Sequence, residues 1–133
     1  MPPYSIFSIL HRRSVVFLIS DFQAPDFSKQ LAITGRRHDL IALPIVDPRE
    51  EELPDVGRVT FEDAETGEQI EINTSDRMTR LRYAQTFGTL ANDRMRDFRR
   101  KRVDTISLKT DEDYLPALRN FFRVRERRLQ LRA

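Results

Sequence analysis

The segment Ser14-Val-Val-Phe-Leu-Ile-Ser20 most narrows what this chain can fold into. It is a continuous apolar run, rich in β-branched residues, and it lacks the period of two that marks a strand with one wet face. Such a run reads as an interior strand of a parallel sheet, buried on both faces. Asp39-Leu-Ile-Ala-Leu-Pro-Ile-Val46 is a second apolar run, closed by Asp47-Pro48. Pro44 has no N–H to give a ladder, so a defect or gap in pairing is expected beside it. Between the runs, Ser28 to Arg37 reads as a short crossover helix, with Ser28 as N-cap and Gly35 near its end. Strand, helix, strand is a βαβ unit.

Downstream the periods change. Arg58 to Glu62 and Gln69 to Asn73 alternate apolar and polar residues around a turn segment containing Gly67, which predicts an inserted β-hairpin over 57–74. From Asp76 to about Arg102, Met78, Leu81, Ala84, Phe87, Ala91, Met95 and Phe98 recur at steps of three and four. That is one apolar stripe on a long helix, with Ser75 as its N-cap. Gly88 inside it implies close helix–sheet packing. Val103 to Lys109 reads as a third strand. Thr110-Asp-Glu-Asp113 has the form of a capping box opening a last helix, with Leu115, Leu118 and Phe122 on one face. Residues 129–133 read as a fraying basic tail.

The expected architecture is a single 1–133 domain of the α/β class: three layers, with a Rossmann-like parallel sheet of three strands. Three strands make a small sheet, and the most apolar of them comes first. An interior strand in that position needs a neighbour on its other side. The expectation is therefore the distal half of a larger doubly wound sheet, or a sheet completed by another chain. The exposed first strand would also permit self-association.

Composition bounds the chemistry. The 133 residues are 39% hydrophobic, enough for a core. No cysteine is present, which excludes disulfides, zinc–thiolate and iron–sulfur sites, and a thiol nucleophile. The two histidines, His11 and His38, read as surface loop residues beside arginines. No apolar run approaches the roughly 20 residues of a membrane span. The start carries no basic leader or cleavage site, so no signal peptide and a cytoplasmic setting are expected. Charge is unevenly placed. Residues 47–76 hold eleven acids against Arg49 and Arg58, a net of −9, whereas residues 94–133 hold thirteen bases against six acids, a net of +7.

Ser14-Val-Val-Phe-Leu-Ile-Ser-Asp-Phe22, Asp47-Pro-Arg-Glu-Glu-Glu-Leu-Pro-Asp-Val-Gly57, Thr110-Asp-Glu-Asp-Tyr-Leu115 and Phe121-Phe-Arg123 together resemble the C-terminal half of the bacterial domain of unknown function 58 proteins. The resemblance covers roughly residues 10–128. It implies a partial von Willebrand factor A-like fold. That fold's metal-ion-dependent adhesion site uses an Asp-x-Ser-x-Ser loop, a later Thr, and an Asp after a further strand. Asp21 matches that last Asp, and the other ligands have no match here. The resemblance thus implies an incomplete site, with no tightly bound cofactor and Mg²⁺ held only if an N-terminal half is supplied. It also implies a non-enzymatic protein–protein interaction or adaptor module, working beside a MoxR-type AAA+ ATPase.

The residues themselves leave other chemistries open. Asp21, Asp47 and Asp111 fall at C-terminal ends of expected parallel strands, where open α/β sheets bind ligands. They define a competing reading as a metal-dependent hydrolase or phosphoryl-transfer enzyme; the plain reading is that they cap helices and hold turns. Arg94, Arg96, Arg99, Arg100, Lys101 and Arg102 support a third reading, a basic nucleic-acid-binding module, though no aromatic residues interleave with them. The acids Asp47, Glu50, Glu51, Glu52 and Asp55 are the candidate contacts for a basic protein partner. No Gly-x-Ser-x-Gly elbow or phosphate-cradling glycine motif occurs.

Overall fold

A computed structural model describes residues 10–23, 28–63 and 66–132. In chain order these form β1 (Val15–Ser20), α1 (Ser28–Arg37), β2 (Asp39–Val46), α2 (Pro48–Glu51), β3 (Arg58–Glu62), β4 (Gln69–Asn73), α3 (Arg77–Arg100), β5 (Asp104–Thr105), β6 (Leu108–Lys109) and α4 (Tyr114–Gln130). The fold is α/β with a parallel sheet. The chain divides into two compact units. The first takes β1 to β2 and the chain from Arg94 onward; the second is Asp47–Asp93.

In the first unit β2 is central. It pairs in parallel with β1 from Val15↔Asp39 to Ser20↔Pro44, and on its other side with β5 and β6. The third strand is split: Ile41 and Ala42 face Asp104 and Thr105, Ile45 and Val46 face Leu108 and Lys109, and on that side Leu43 and Pro44 have no ladder partner among the described residues. This is the gap that a residue without an N–H forces.

Alternation along β2 builds the two halves of the core. Leu40 and Ala42 pack with Phe22, Leu31 of α1, and Phe98 of α3, with Val16, Leu18 and Met95 at the margin. Ile41 and Leu43 pack with Ile106 and, from α4, Ala117, Leu118 and Phe121. Helices thus cover both faces of β2.

β1 departs from the expected interior position. Val16 and Leu18 face the first cluster, but Val15, Phe17 and Ile19 remain 57%, 46% and 61% exposed. Among the described residues β1 pairs with β2 alone. An apolar β-branched run fixes strand preference, but which faces are covered depends on the reach of α4. That helix covers the second face of β2 and sets Phe122 beside β1, with its ring centroid 6.2 Å from that of Phe17.

Several helix ends also differ from the sequence pattern. Ser28 is the first helical residue of α1, not its cap, and residues 24–27 before it lie outside the described residues. Asp76, not Ser75, caps α3: its carboxylate accepts from the Met78 and Thr79 amides at 3.2 Å, while Ser75 Oγ donates to Asp55. Asp113, not Thr110, caps α4 by accepting from Leu115 N at 3.0 Å. The core-facing side of α4 is half-buried Ala117, Leu118 and Phe121, leaving Leu115 and Phe122 exposed. The expected tail from Leu129 is helical through Gln130. Gly88 makes no close approach, since a Cβ built there meets nothing within 4 Å.

The second unit holds the inserted hairpin, paired antiparallel from Arg58↔Asn73 to Glu62↔Gln69. Its turn uses Gly67 at φ +72°, and Asp63 Oδ1 accepts from Thr66 N. Thr74, almost fully buried, closes the base: its N–H and hydroxyl both donate to the Gly57 carbonyl, and its Oγ1 accepts from Val56 N.

Candidate functional site

Asp21 leaves β1 at the C-terminal edge of the sheet. Its Oδ1 accepts from Gln23 N at 3.1 Å, and Ser20 Oγ accepts from Phe22 N at 3.0 Å. Both side chains therefore hold the turn that lets Phe22 adopt φ +55° and bury its ring 5.1 Å from that of Phe98. Arg94 fastens the turn from the other side. Its guanidinium donates to the Asp21 carbonyl at 3.2 Å and lies 5.9 Å from the Phe22 ring centroid. Asp47 caps α2, accepting from Arg49 N at 3.0 Å. Asp111 lies in the exposed turn after β6. Among the described residues no three His, Asp or Glu side chains stand close enough to hold a metal ion. One carboxylate already holding a turn amide does not make a Mg²⁺ cage, so the described residues do not by themselves form a site for that ion.

The acidic segment is locally ordered. Leu53 is buried, and the Glu50 carbonyl accepts from the Tyr83 hydroxyl at 2.9 Å. Asp55 accepts from Ser75 Oγ at 2.7 Å and pairs with Arg80 at 3.5 Å. Arg80 also donates to the Thr74 carbonyl at 2.6 Å. These bonds turn Arg80 and Tyr83 inward and leave Met78 and Leu81 exposed, so the buried stripe of α3 is rotated at its start. Glu52 stays exposed. Asp55 thus spends part of its charge within the unit, and the Asp47 carboxylate is engaged by the Arg49 amide.

Sequence reasoning missed three features. His38 is buried, not a surface loop residue: it is 6% exposed, and its Nδ1 accepts from Ser14 N at 3.3 Å. Arg125 of α4 pairs with both Asp39 and Asp104, the first residues of β2 and β5, across 86 and 21 positions. No local pattern marks such long-range pairs. Lastly, the basic run 94–102 is not one surface. Arg94 serves the Asp21 turn and Lys101 pairs with Asp97 and Ser28, whereas Arg99 and Arg102 line a separate cleft.

Geometry defines a parallel α/β protein with helices on both sides of its central strand and, among the described residues, one apolar edge without a strand partner. The family model described as "Protein of unknown function DUF58" matches residues 5–95, and the chain belongs to that family. It is 34% identical over 117 residues to Uncharacterized protein MAV169 of Mycobacterium avium, covering 87% of this chain and 69% of the relative. It is 35% identical over 117 residues to Uncharacterized protein Rv1480 of Mycobacterium tuberculosis and Uncharacterized protein Mb1516 of Mycobacterium bovis; there it spans 87% of this chain but 37% of each relative. No solved structure matches the chain. No helix among the described residues is long and apolar enough to cross a membrane.

Proposed function

We propose that this chain is a non-enzymatic protein-interaction module of von Willebrand A-like type whose partner is a MoxR-type AAA+ ATPase. The observation that carries this reading is the β1 edge. Among the described residues this six-residue strand is hydrogen-bonded on one side only and presents Val15, Phe17 and Ile19, with Phe122 beside Phe17. Soluble proteins usually blunt such an edge with charge, proline or a covering element. Left open, it accepts an extended segment of a partner, with backbone bonds giving affinity and alternate side chains giving selectivity. The acids Asp47, Glu50, Glu51 and Glu52 provide a second, electrostatic contact for basic residues of that partner. Asp21 shapes the turn at the end of β1, and any Mg²⁺ contact through it requires ligands beyond the described residues.

Biolayer interferometry of the chain against a MoxR-type AAA+ ATPase tests the reading. Saturable binding is expected, lost at least tenfold in Phe17→Asp and Ile19→Asp, and less in a Glu50→Lys, Glu51→Lys, Glu52→Lys triple variant. Absence of binding at 100 µM partner (about −5.5 kcal/mol, the weak end of specific association), or equal affinity in the β1 variants, overturns it. Concentration-dependent dimers in light scattering, abolished by Phe17→Asp, would give the edge to a second copy instead.

A further inference from the structure

At the opposite end of the sheet from Asp21, the starts of β2 and β5 meet the C-terminal ends of α3 and α4 around a cleft of about 760 Å³. We propose that this cleft binds a diphosphate group, free or as part of a small phosphorylated ligand. Three observations carry the proposal.

The first is charge. Six arginines and two aspartates line the cleft, a net of +4. Basic residues in a last helical turn ordinarily answer the helix dipole, but two helix C-termini account for only about −0.5 charge each. A surplus of about +3 remains, and a diphosphate carries about the opposite charge.

The second is how the carboxylates are used. Arg125 bridges Asp39 and Asp104, and Arg128 approaches Asp104 at 3.4 Å. The two acids are thereby committed to α4. Among the described residues, Arg13, Arg99, Arg102 and Arg132 make no ion pair, so four guanidinium groups of like charge surround one concavity. Guanidinium is the side-chain group that matches phosphate oxygens in bidentate fashion.

The third is backbone strain. α3 ends in a Schellman turn: Val103 N donates to the Phe98 carbonyl and Arg102 N to the Arg99 carbonyl. The left-handed residue of that turn is nearly always glycine, yet here it is Arg102 at φ +57°. A glycine would relax the turn and remove one of the cleft's cations. Strain of this kind clusters at ligand sites. An extended nucleic-acid strand needs a groove that tracks many phosphates, whereas this basic surface is a single concavity of small-ligand size.

Isothermal titration of the 133-residue chain at fixed ionic strength, with inorganic pyrophosphate as the probe, tests the site. Saturable one-to-one binding is expected, at least tenfold tighter than orthophosphate or sulfate. Arg99→Ala should weaken it at least tenfold, and Arg36→Ala, outside the cleft, should leave it unchanged. Arg102→Gly should weaken binding at least tenfold while raising the melting temperature, a combination that misfolding cannot produce. ADP binding tighter than pyrophosphate would identify a nucleotide as the source of the diphosphate; equal affinity would identify the diphosphate alone. Absence of saturation at 10 mM pyrophosphate, or unchanged affinity in Arg99→Ala and Arg102→Gly, overturns the proposal. So does tighter binding of a single-stranded oligonucleotide or an acidic peptide that depends on the same arginines.

Discussion

Two phenylalanines of the first unit, Phe98 and Phe122, occupy apolar helix stripes that sequence periodicity treats alike, but their truncation should have very different costs. Phe98 is 1% exposed and packs against Phe22, Leu31, Leu40, Ala42 and Val103. Removing its ring forfeits the transfer free energy of a fully buried phenylalanine and leaves a cavity, together about 3–5 kcal/mol. Phe122 is 44% exposed. Burial of a whole phenylalanine is worth about 1.5–3 kcal/mol, so a side chain that keeps nearly half its surface wet should lose about 1 kcal/mol, with no enclosed cavity. Urea unfolding followed by circular dichroism checks this. With a slope of about 1–3 kcal/mol per molar, Phe98→Ala should lower the midpoint by about 2 M and Phe122→Ala by about 0.5 M. If the loss in Phe98→Ala exceeds the total stability, about 5–15 kcal/mol for a domain, Phe98→Leu serves instead, at a cost of about 1–1.5 kcal/mol. Equal costs at the two positions would refute the layer assignment, because they would require α4 to bury the face that carries Phe122.

Arg125→Ala should destabilise by about 2 kcal/mol, because Asp39 and Asp104 then face each other without their shared cation; the figure lies below that of a fully buried pair since their side chains keep 35% and 32% exposure. A urea midpoint unchanged from the parent would refute it. Gly88→Ala should stabilise the chain by about 1 kcal/mol, since the helix gains propensity and the new methyl meets no atom within 4 Å; a loss of stability in the same assay would contradict the open surroundings. Hydrogen bonds from the Thr79 hydroxyl and then the Met78 amide hold the Asp76 carboxyl below its ordinary range. A lowered native pKa adds stability above the unfolded value, about 3.9, and that stability is lost as pH falls through the native value. Asp76→Asn should therefore flatten the acid limb of the stability–pH curve below about pH 4.5 and leave its shape unchanged above; parallel curves throughout would refute this.

The α/β character, the strand at 39–46, the pairing gap at Pro44 and the hairpin were legible because each rests on local chemistry: β-branched runs, a missing N–H, period-two alternation and turn glycine. Helix ends were less legible. Ser, Thr and Asp side chains compete for the same free amides, and Asp76 and Asp113 prevailed over Ser75 and Thr110 by starting the helices one and three residues later.

By itself, then, the sequence determined the order and kind of the main strands and helices, though not the short helix Pro48–Glu51 inside its acidic segment, and the separation of acidic from basic segments. Tertiary structure alone decided that β2, not β1, is the doubly covered strand, that His38 is enclosed, and that arginines from Arg13 to Arg132 surround one cleft. The physical reason is range. Strand and turn preferences are set within a few residues, whereas burial and charge clustering depend on where α3 and α4 end in space, which no spacing along the chain encodes.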